Sequence, residues 1–352
     1  MVKRDAQFWL RVTIAAIGAL ILYREPWVAV PFVLALFLSL LLRPLVDGMM
    51  ALAVRAGWRK FPIDIAILLS FAVFIVVMYF IMGSIFVPFI NELRLFIAQL
   101  PMLTDQVIRM VQVFQDRWFD FVPADVQVMV KDLLRRGANY LVELAQTSVL
   151  LLLSFTGTLV ELIVVPIIAF YMIKSGDRFK SVFIHLFPTE YRGHLDRVVT
   201  EMHETLSAYI RGQLLMCALI ASLVFAGMWL FDVPYPLVIG LLAGLMELIP
   251  IVGPIIGAIP AVLLAGTVSW MLAVKVLVFY IIVQQLEGHV IMPNTMGKVI
   301  DIHPVAIIGG VLLGSAVLGI FGMMLAVPVL AVAKVLARHM WYYNQYKQLS
   351  GK

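Results

Sequence analysis

Long apolar runs separated by short polar stretches dominate this chain. Runs near 8–23, 27–42, 63–87, 147–173, 207–231, 235–268, 271–286 and 303–333 approach or exceed the roughly 20 apolar residues a helix needs to cross a bilayer. The pattern predicts an all-α, polytopic membrane protein with nominally eight transmembrane spans. The runs 235–268 and 303–333 are long and interrupted by Gly and Pro. Each is therefore a kinked crossing, a re-entrant segment or two short crossings.

The rhythm changes between the third and fourth runs. Leu103, Val107, Met110, Phe114, Trp118 and Phe121 recur at spacings of three and four, and Val126, Val130, Leu133, Tyr140 and Leu144 nearly continue them after Pro123. This predicts an amphipathic helical hairpin over 91–145. Its apolar stripe can pack on its own membrane domain, join subunits or lie in the interface. A second stripe, Leu195, Val198, Met202, Leu206 and Tyr209, follows Thr189, a good N-cap residue, and feeds the fifth span. The predicted organisation is spans one to three in 1–90, an extracytoplasmic helical region in 91–145, spans four to eight with a transport core in 146–338, and a cytoplasmic tail in 339–352.

Composition agrees with the pattern. Of 352 residues, 63% are hydrophobic and 13% charged, against about half and a quarter in soluble domains. Lys3, Arg4 and Arg11 flank the first run, and no small-residue cleavage site follows it, so it reads as an uncleaved span rather than a removed signal. The net charge of +5 comes with no basic run interleaved with aromatics, which argues against a nucleic-acid partner.

The positive residues instead set an orientation. Arg43, Arg55, Arg59 and Lys60 follow the second span. Lys174, Arg178, Lys180, Arg192 and Arg197 follow the fourth, and Lys334, Arg338, Lys347 and Lys352 follow the eighth. Alternating spans place these and the N-terminal arm on one side, the cytoplasm by the positive-inside rule. Both termini are then cytoplasmic, and 88–145, with six Lys/Arg against seven Asp/Glu, lies outside.

Few residues carry candidate chemistry. Cys217 is the only cysteine and sits in an apolar span, which excludes an intrachain disulfide. The six histidines lack metal-ligand spacing, so no metal site is expected. No GxxxxGK[ST] loop, HExxH or Ser–His–Asp arrangement occurs, and the chain is not expected to be an enzyme.

The stretch GLLAGLMELIPIVGPIIGAIP at 240–260 stands out. It places one carboxylate, Glu247, beside Pro250, Gly253, Pro254, Gly257 and Pro260, the predicted break or hinge positions. Gly240, Gly244 and Glu247 share a helical face, and a buried intramembrane acid marks a pathway by default. A second cluster is QQLEGHVIMPNTMGK at 284–298, where Gln284 and Glu287 share a face and Pro293 is expected to stop the helix. It is either an ordinary helix end or a lining of the same cavity as Glu247. Arg211 and Gln213 form a third, at the start of the fifth span, where Arg211 either snorkels to lipid phosphates or pairs with an anion. Glu161 lies in the fourth span without an identifying partner.

An internal echo links the two interrupted runs. Gly240-Leu-Leu-Ala-Gly244 resembles Gly310-Val-Leu-Leu-Gly314, and each is followed by Ala-x-Pro, at Ala258–Pro260 and Ala326–Pro328. Paired interrupted segments point to a midplane binding site.

Together these motifs resemble the autoinducer-2 exporter family, also described as PerM-like permeases. The carrying stretches are LLRPLVDGM at 41–49, FYMIKSGDRF at 170–179, AYIRGQLL at 208–215, ELIPIVGPIIGAIP at 247–260, QQLEGHVIMPNTMGK at 284–298 and HPVAIIGGVLLG at 303–314. The resemblance implies a homo-oligomeric inner-membrane transporter, with a pentamer among the options. It also implies export of an autoinducer-2-like signal or, in other branches, sodium/proton antiport. Glu247, Pro250, Gly253, Pro254, Gln284, Glu287 and Pro293 match positions typical of its motifs.

The leading expectation is a secondary transporter exporting a small polar molecule by alternating access. Glu247 would bind a proton, cation or substrate, and Gln284 and Glu287 would add hydrogen bonds. No cofactor is expected beyond a coupling proton or sodium ion. The alternatives are a monovalent-cation/proton antiporter and, in another class, a channel or membrane scaffold.

Overall fold

The computed structural model describes residues 28–58, 60–96, 159–296 and 302–341, together with Thr13, Leu20, Arg24, Glu25 and Arg136. The first predicted span and the 103–144 stripes otherwise lie outside the described residues, as do Lys298 and the side chain of Glu161. Among the described residues the chain is helical, with no strand. We label the helices α1 (Ala29–Arg55), α2 (Ile63–Phe96), α3 (Leu159–His185), α4 (Thr189–Leu230), α5 (Pro236–Met246), α6 (Val252–Val268), α7 (Trp270–Met296) and α8 (Pro304–Trp341).

Five of these, α1, α2, α4, α7 and α8, are long and apolar enough to cross a membrane. The 42-residue α4 reaches about 63 Å, twice a bilayer core, so the amphipathic stripe after Thr189 and the fifth span form one continuous helix. The start of the predicted 91–145 region, Asn91–Phe96, is the end of α2. Likewise α3 continues beyond the predicted 173 to His185, and α8 carries the start of the predicted tail to Trp341.

Both interrupted runs are helical hairpins. The eleven residues of α5 reach only about 16 Å, half the hydrocarbon thickness. The chain then reverses over 247–251 and returns as α6. A Cβ on Gly253 would strike the carbonyl of Met246, and one on Gly257 would approach Ala243 Cα to 3.2 Å. The sequence run predicted a series of breaks, but the reversal is confined to 247–251. Pro254 sits in the first turn of α6, where a missing N–H costs little, and buried Pro260 is accommodated inside the helix.

α8 repeats the design. Leu318 (φ −129°, ψ 16°) and Gly319 (φ 58°, ψ −132°) break it, and the two halves fold together. Gly314 and Gly322 meet backbone to backbone, and Gly310 faces Ala326 and Leu330. Side chains at 314 or 322 would hold the arms apart.

Packing divides the chain into two units. The first comprises 1–74, 157–210 and 302–352. Here α1 packs on α3 around Leu42, Val46, Ala66, Ile67 and Ile173. Lys174 pairs with Asp64 at 2.9 Å, and Lys180 with Asp196 at 2.7 Å. Glu201 binds Arg338 and, at 2.7 Å, the buried His339. The second unit comprises 75–156 and 211–301. Its core joins Phe89, Leu93 and Phe96 of α2 to Val224 of α4, Val238 and Ile239 of α5, Leu264 of α6 and Val276 of α7.

Candidate functional site

The site grows from small residues that let α4 and α5 touch. Along α4, Gln213, Cys217, Ala221 and Phe225 recur every four residues and so share a face. Gly240 packs against Ala221 and Phe225, and Gly244 against Cys217 and Ala221. A Cβ on Gly244 would stand 2.6 Å from the Cys217 carbonyl oxygen. This close approach brings Gln213 to the last turn of α5, where its amide donates to the Glu247 carbonyl oxygen at 2.8 Å. One orphan carbonyl at that helix end is thereby satisfied.

Glu247 itself opens the hairpin tip. Its residue is only 8% exposed, and its Oε2 is buried without a hydrogen-bond partner among the described residues. Ile251, at the other side of the tip, holds φ 68° and ψ −48°. A β-branched residue there is strained, and such strain concentrates at working sites.

The second acid arrives from α7. Pro293 does not stop this helix. The ladder widens into a π turn over Glu287–Ile291 and α7 continues to Met296. Proline cannot donate to the carbonyl one turn back, and the wider turn absorbs that loss without ending the helix. Asn294 and Thr295 side chains donate to the Val290 and Ile291 carbonyls, both at 2.7 Å, which supplies partners that lipid cannot.

The π turn presents Glu287 to Glu247, so the two carboxyl groups stand as close neighbours. Gln284 donates to Glu287 Oε2 at 3.0 Å. Two carboxylates side by side repel each other, and a positive charge between them relieves that repulsion. The pair is thus a candidate place for one proton or cation.

Gln284 also borders a cavity of about 530 Å³ between α6 and α7, with Pro254, Ala258, Tyr280 and Gln285 among its walls. The Tyr280 hydroxyl donates to the Gly257 carbonyl at 3.3 Å, just before Pro260.

Glu247, Glu287, Gln284 and Gln213 therefore meet at one place, and Arg211 is exposed. Sequence reading missed Glu92. Its carboxylate accepts from the backbone N–H groups of Leu237 and Val238 at the start of α5, at 3.1 and 3.2 Å. The available signal was an acid directly after an apolar span, with no local pattern naming a partner.

The chain matches the model of a family described as AI-2E family transporter over residues 10–341. It is 30% identical over 349 residues to YueF, a candidate transport protein of Bacillus subtilis (strain 168), covering 95% of this chain and 93% of that protein. A candidate transport protein of Mycobacterium tuberculosis (strain CDC 1551 / Oshkosh) is 28% identical over 346 residues, 94% of this chain and 89% of its own length. PerM, a candidate permease of Escherichia coli (strain K12), is 25% identical over 195 residues, 54% of each.

Proposed function

From the premise that this chain belongs to the AI-2E transporter family, we propose that it is a proton-coupled secondary transporter exporting a small polar molecule. The family carries the coarser statement, a role in membrane transport. The finer reading rests on one observation, a buried Glu247 whose Oε2 has no hydrogen-bond partner among the described residues and whose neighbour is a second acid, Glu287, inside apolar helices. Acids are expensive in a bilayer and are kept there for ion pathways. Each transport cycle would load and release the shared charge, and movement of the strained α5–α6 tip would expose it to alternate sides. Gln284 joins the acid pair to the cavity along α6 and α7, which gives a polar cargo a neighbouring place to bind.

The charge bias of the loops supports an inner-membrane protein with both termini in the cytoplasm. The exposed apolar faces of α2 and α8 support contact with lipid or with further copies of the chain in a homo-oligomer.

The same pair favours a second reading, monovalent-cation/proton antiport, because a site that holds one proton can exchange it for sodium. Proton flux in proteoliposomes, with and without a sodium gradient, separates the two. Export with proton coupling predicts flux that needs an organic cargo and is lost in Glu247→Gln and Glu287→Gln. Sodium alone driving flux would establish antiport. Wild-type flux in both variants would refute the role of the pair.

A further inference from the structure

We propose that Glu92 is a positioning residue for the acid pair, acting through α5. The assignment rests on the transport reading of Glu247 and Glu287.

A helix start leaves backbone N–H groups without intrahelical partners, and in lipid each must find another acceptor. At the start of α5 the first helical residues are accounted for. Pro236 has no N–H. Leu237 and Val238 donate to Glu92 Oε2. Ile239 donates to the Tyr235 carbonyl at 3.1 Å. Tyr235 at the N-cap lies at φ 58° and offers no side-chain cap. The cap is supplied from α2, 145 and 146 residues away in sequence. A negative charge at a helix N-terminus is also favoured by the macrodipole.

Neighbouring contacts make this a fixed joint. Phe96, one turn beyond Glu92, packs edge-on against the Tyr235 ring at 5.7 Å. Phe89, Leu93 and Phe96 are buried in the core that holds Val238 and Ile239. At its other end α5 is tied by Gln213 to the Glu247 carbonyl. α5 is a short rod held at both ends by side chains from distant helices. Its N-terminal anchor sets where the residue at its C-cap, Glu247, meets Glu287. Glu92 touches neither acid, and its effect on them is transmitted along eleven residues of helix.

The test uses the full chain in proteoliposomes, with Glu92→Ala and Glu92→Gln. Glutamine keeps an acceptor oxygen, whereas alanine removes it. Two readouts are taken: the pH profile of proton flux per reconstituted molecule, and the alkylation rate of Cys217, whose backbone touches Gly244 of α5. Glu92→Ala is expected to lower flux about tenfold, the scale of one charged hydrogen bond, and to move the pH midpoint. It should also accelerate Cys217 alkylation, and Glu92→Gln should restore most of each.

Wild-type flux, midpoint and alkylation rate in Glu92→Ala would overturn the proposal. So would variants that fold in lower yield but behave normally per molecule. Should the wild-type protein carry no protons, the transport reading fails and alkylation alone decides: faster labelling in Glu92→Ala supports the anchor, and unchanged labelling overturns it.

Discussion

Gly244→Ala tests the contact on which the site is built. The added Cβ would stand 2.6 Å from both the Cys217 carbonyl oxygen and the Ala221 Cβ. Non-bonded heavy atoms rest roughly 3.5 Å apart or more, so α4 and α5 must separate by about 1 Å. Neither neighbour is the free end of a flexible side chain that can swing away. The Gln213–Glu247 bond, now 2.8 Å, would stretch past the usual limit of about 3.2 Å. Overpacking costs about 1–3 kcal/mol and the lost bond about 1 kcal/mol. Alanine returns up to about 1 kcal/mol of helix propensity, which leaves a net loss of about 1–3 kcal/mol. Gly176→Ala in α3 is the control, since a Cβ there meets nothing within 4 Å. It should gain up to about 1 kcal/mol. Thermal unfolding of purified protein reads both, and proton flux reads the consequence for Glu247. If Gly244→Ala melts at or above the control and transports normally, helix contact at Gly244 does not organise the site.

Three further substitutions test the first unit. Gly314→Ala would drive a methyl into the Gly322 carbonyl and should cost about 2 kcal/mol or more, seen as loss of monodisperse protein. Gly319→Ala faces open space, but φ 58° with ψ −132° is a conformation that glycine almost alone adopts, so it should cost about 1–3 kcal/mol through backbone strain without a steric clash. Glu201→Gln removes the charge that holds Arg338 and buried His339. Because Arg338 is 47% exposed, the expected loss is only about 1–2 kcal/mol, read as a lower melting temperature with unchanged flux per molecule.

The apolar runs were enough to read an all-helical membrane protein, because lipid leaves few alternatives to long apolar helices. The face formed by Gly240, Gly244 and Glu247 was legible for the same reason: helical spacing is local. So was Gln284 beside Glu287, three residues apart. The echo between the two interrupted runs is seen in the structure as two hairpins. Their reversals were not legible, because a kink and a turn-back use the same Gly and Pro. What decides is whether residues such as 314 and 322 can touch, a contact that no local pattern encodes. Pro293 misled for a related reason. Proline ends helices on average, but a π turn just before it can absorb the missing donor. Glu92 was invisible because its partners are backbone groups far along the chain, and backbone groups carry no sequence signature.

The hairpin explains why the acid stands where it does. A carboxylate in the middle of an unbroken helix gains no partner from its own backbone, whose polar groups are already paired. At a reversal the backbone groups are open, and side chains such as Gln213 are drawn in to satisfy them. The C-terminal end of α5 also carries partial negative charge, which disfavours a second full negative charge there. Glu287 adds a third negative contribution beside it. Helix end, neighbouring acid and burial all disfavour bare negative charge here, which a cation or a proton would relieve. On the proposed transport reading, exchange of that charge would give the strained tip at Ile251 a reason to move. A scaffold gains nothing from placing two acids in contact at a strained turn, which makes transport the more economical account of this geometry.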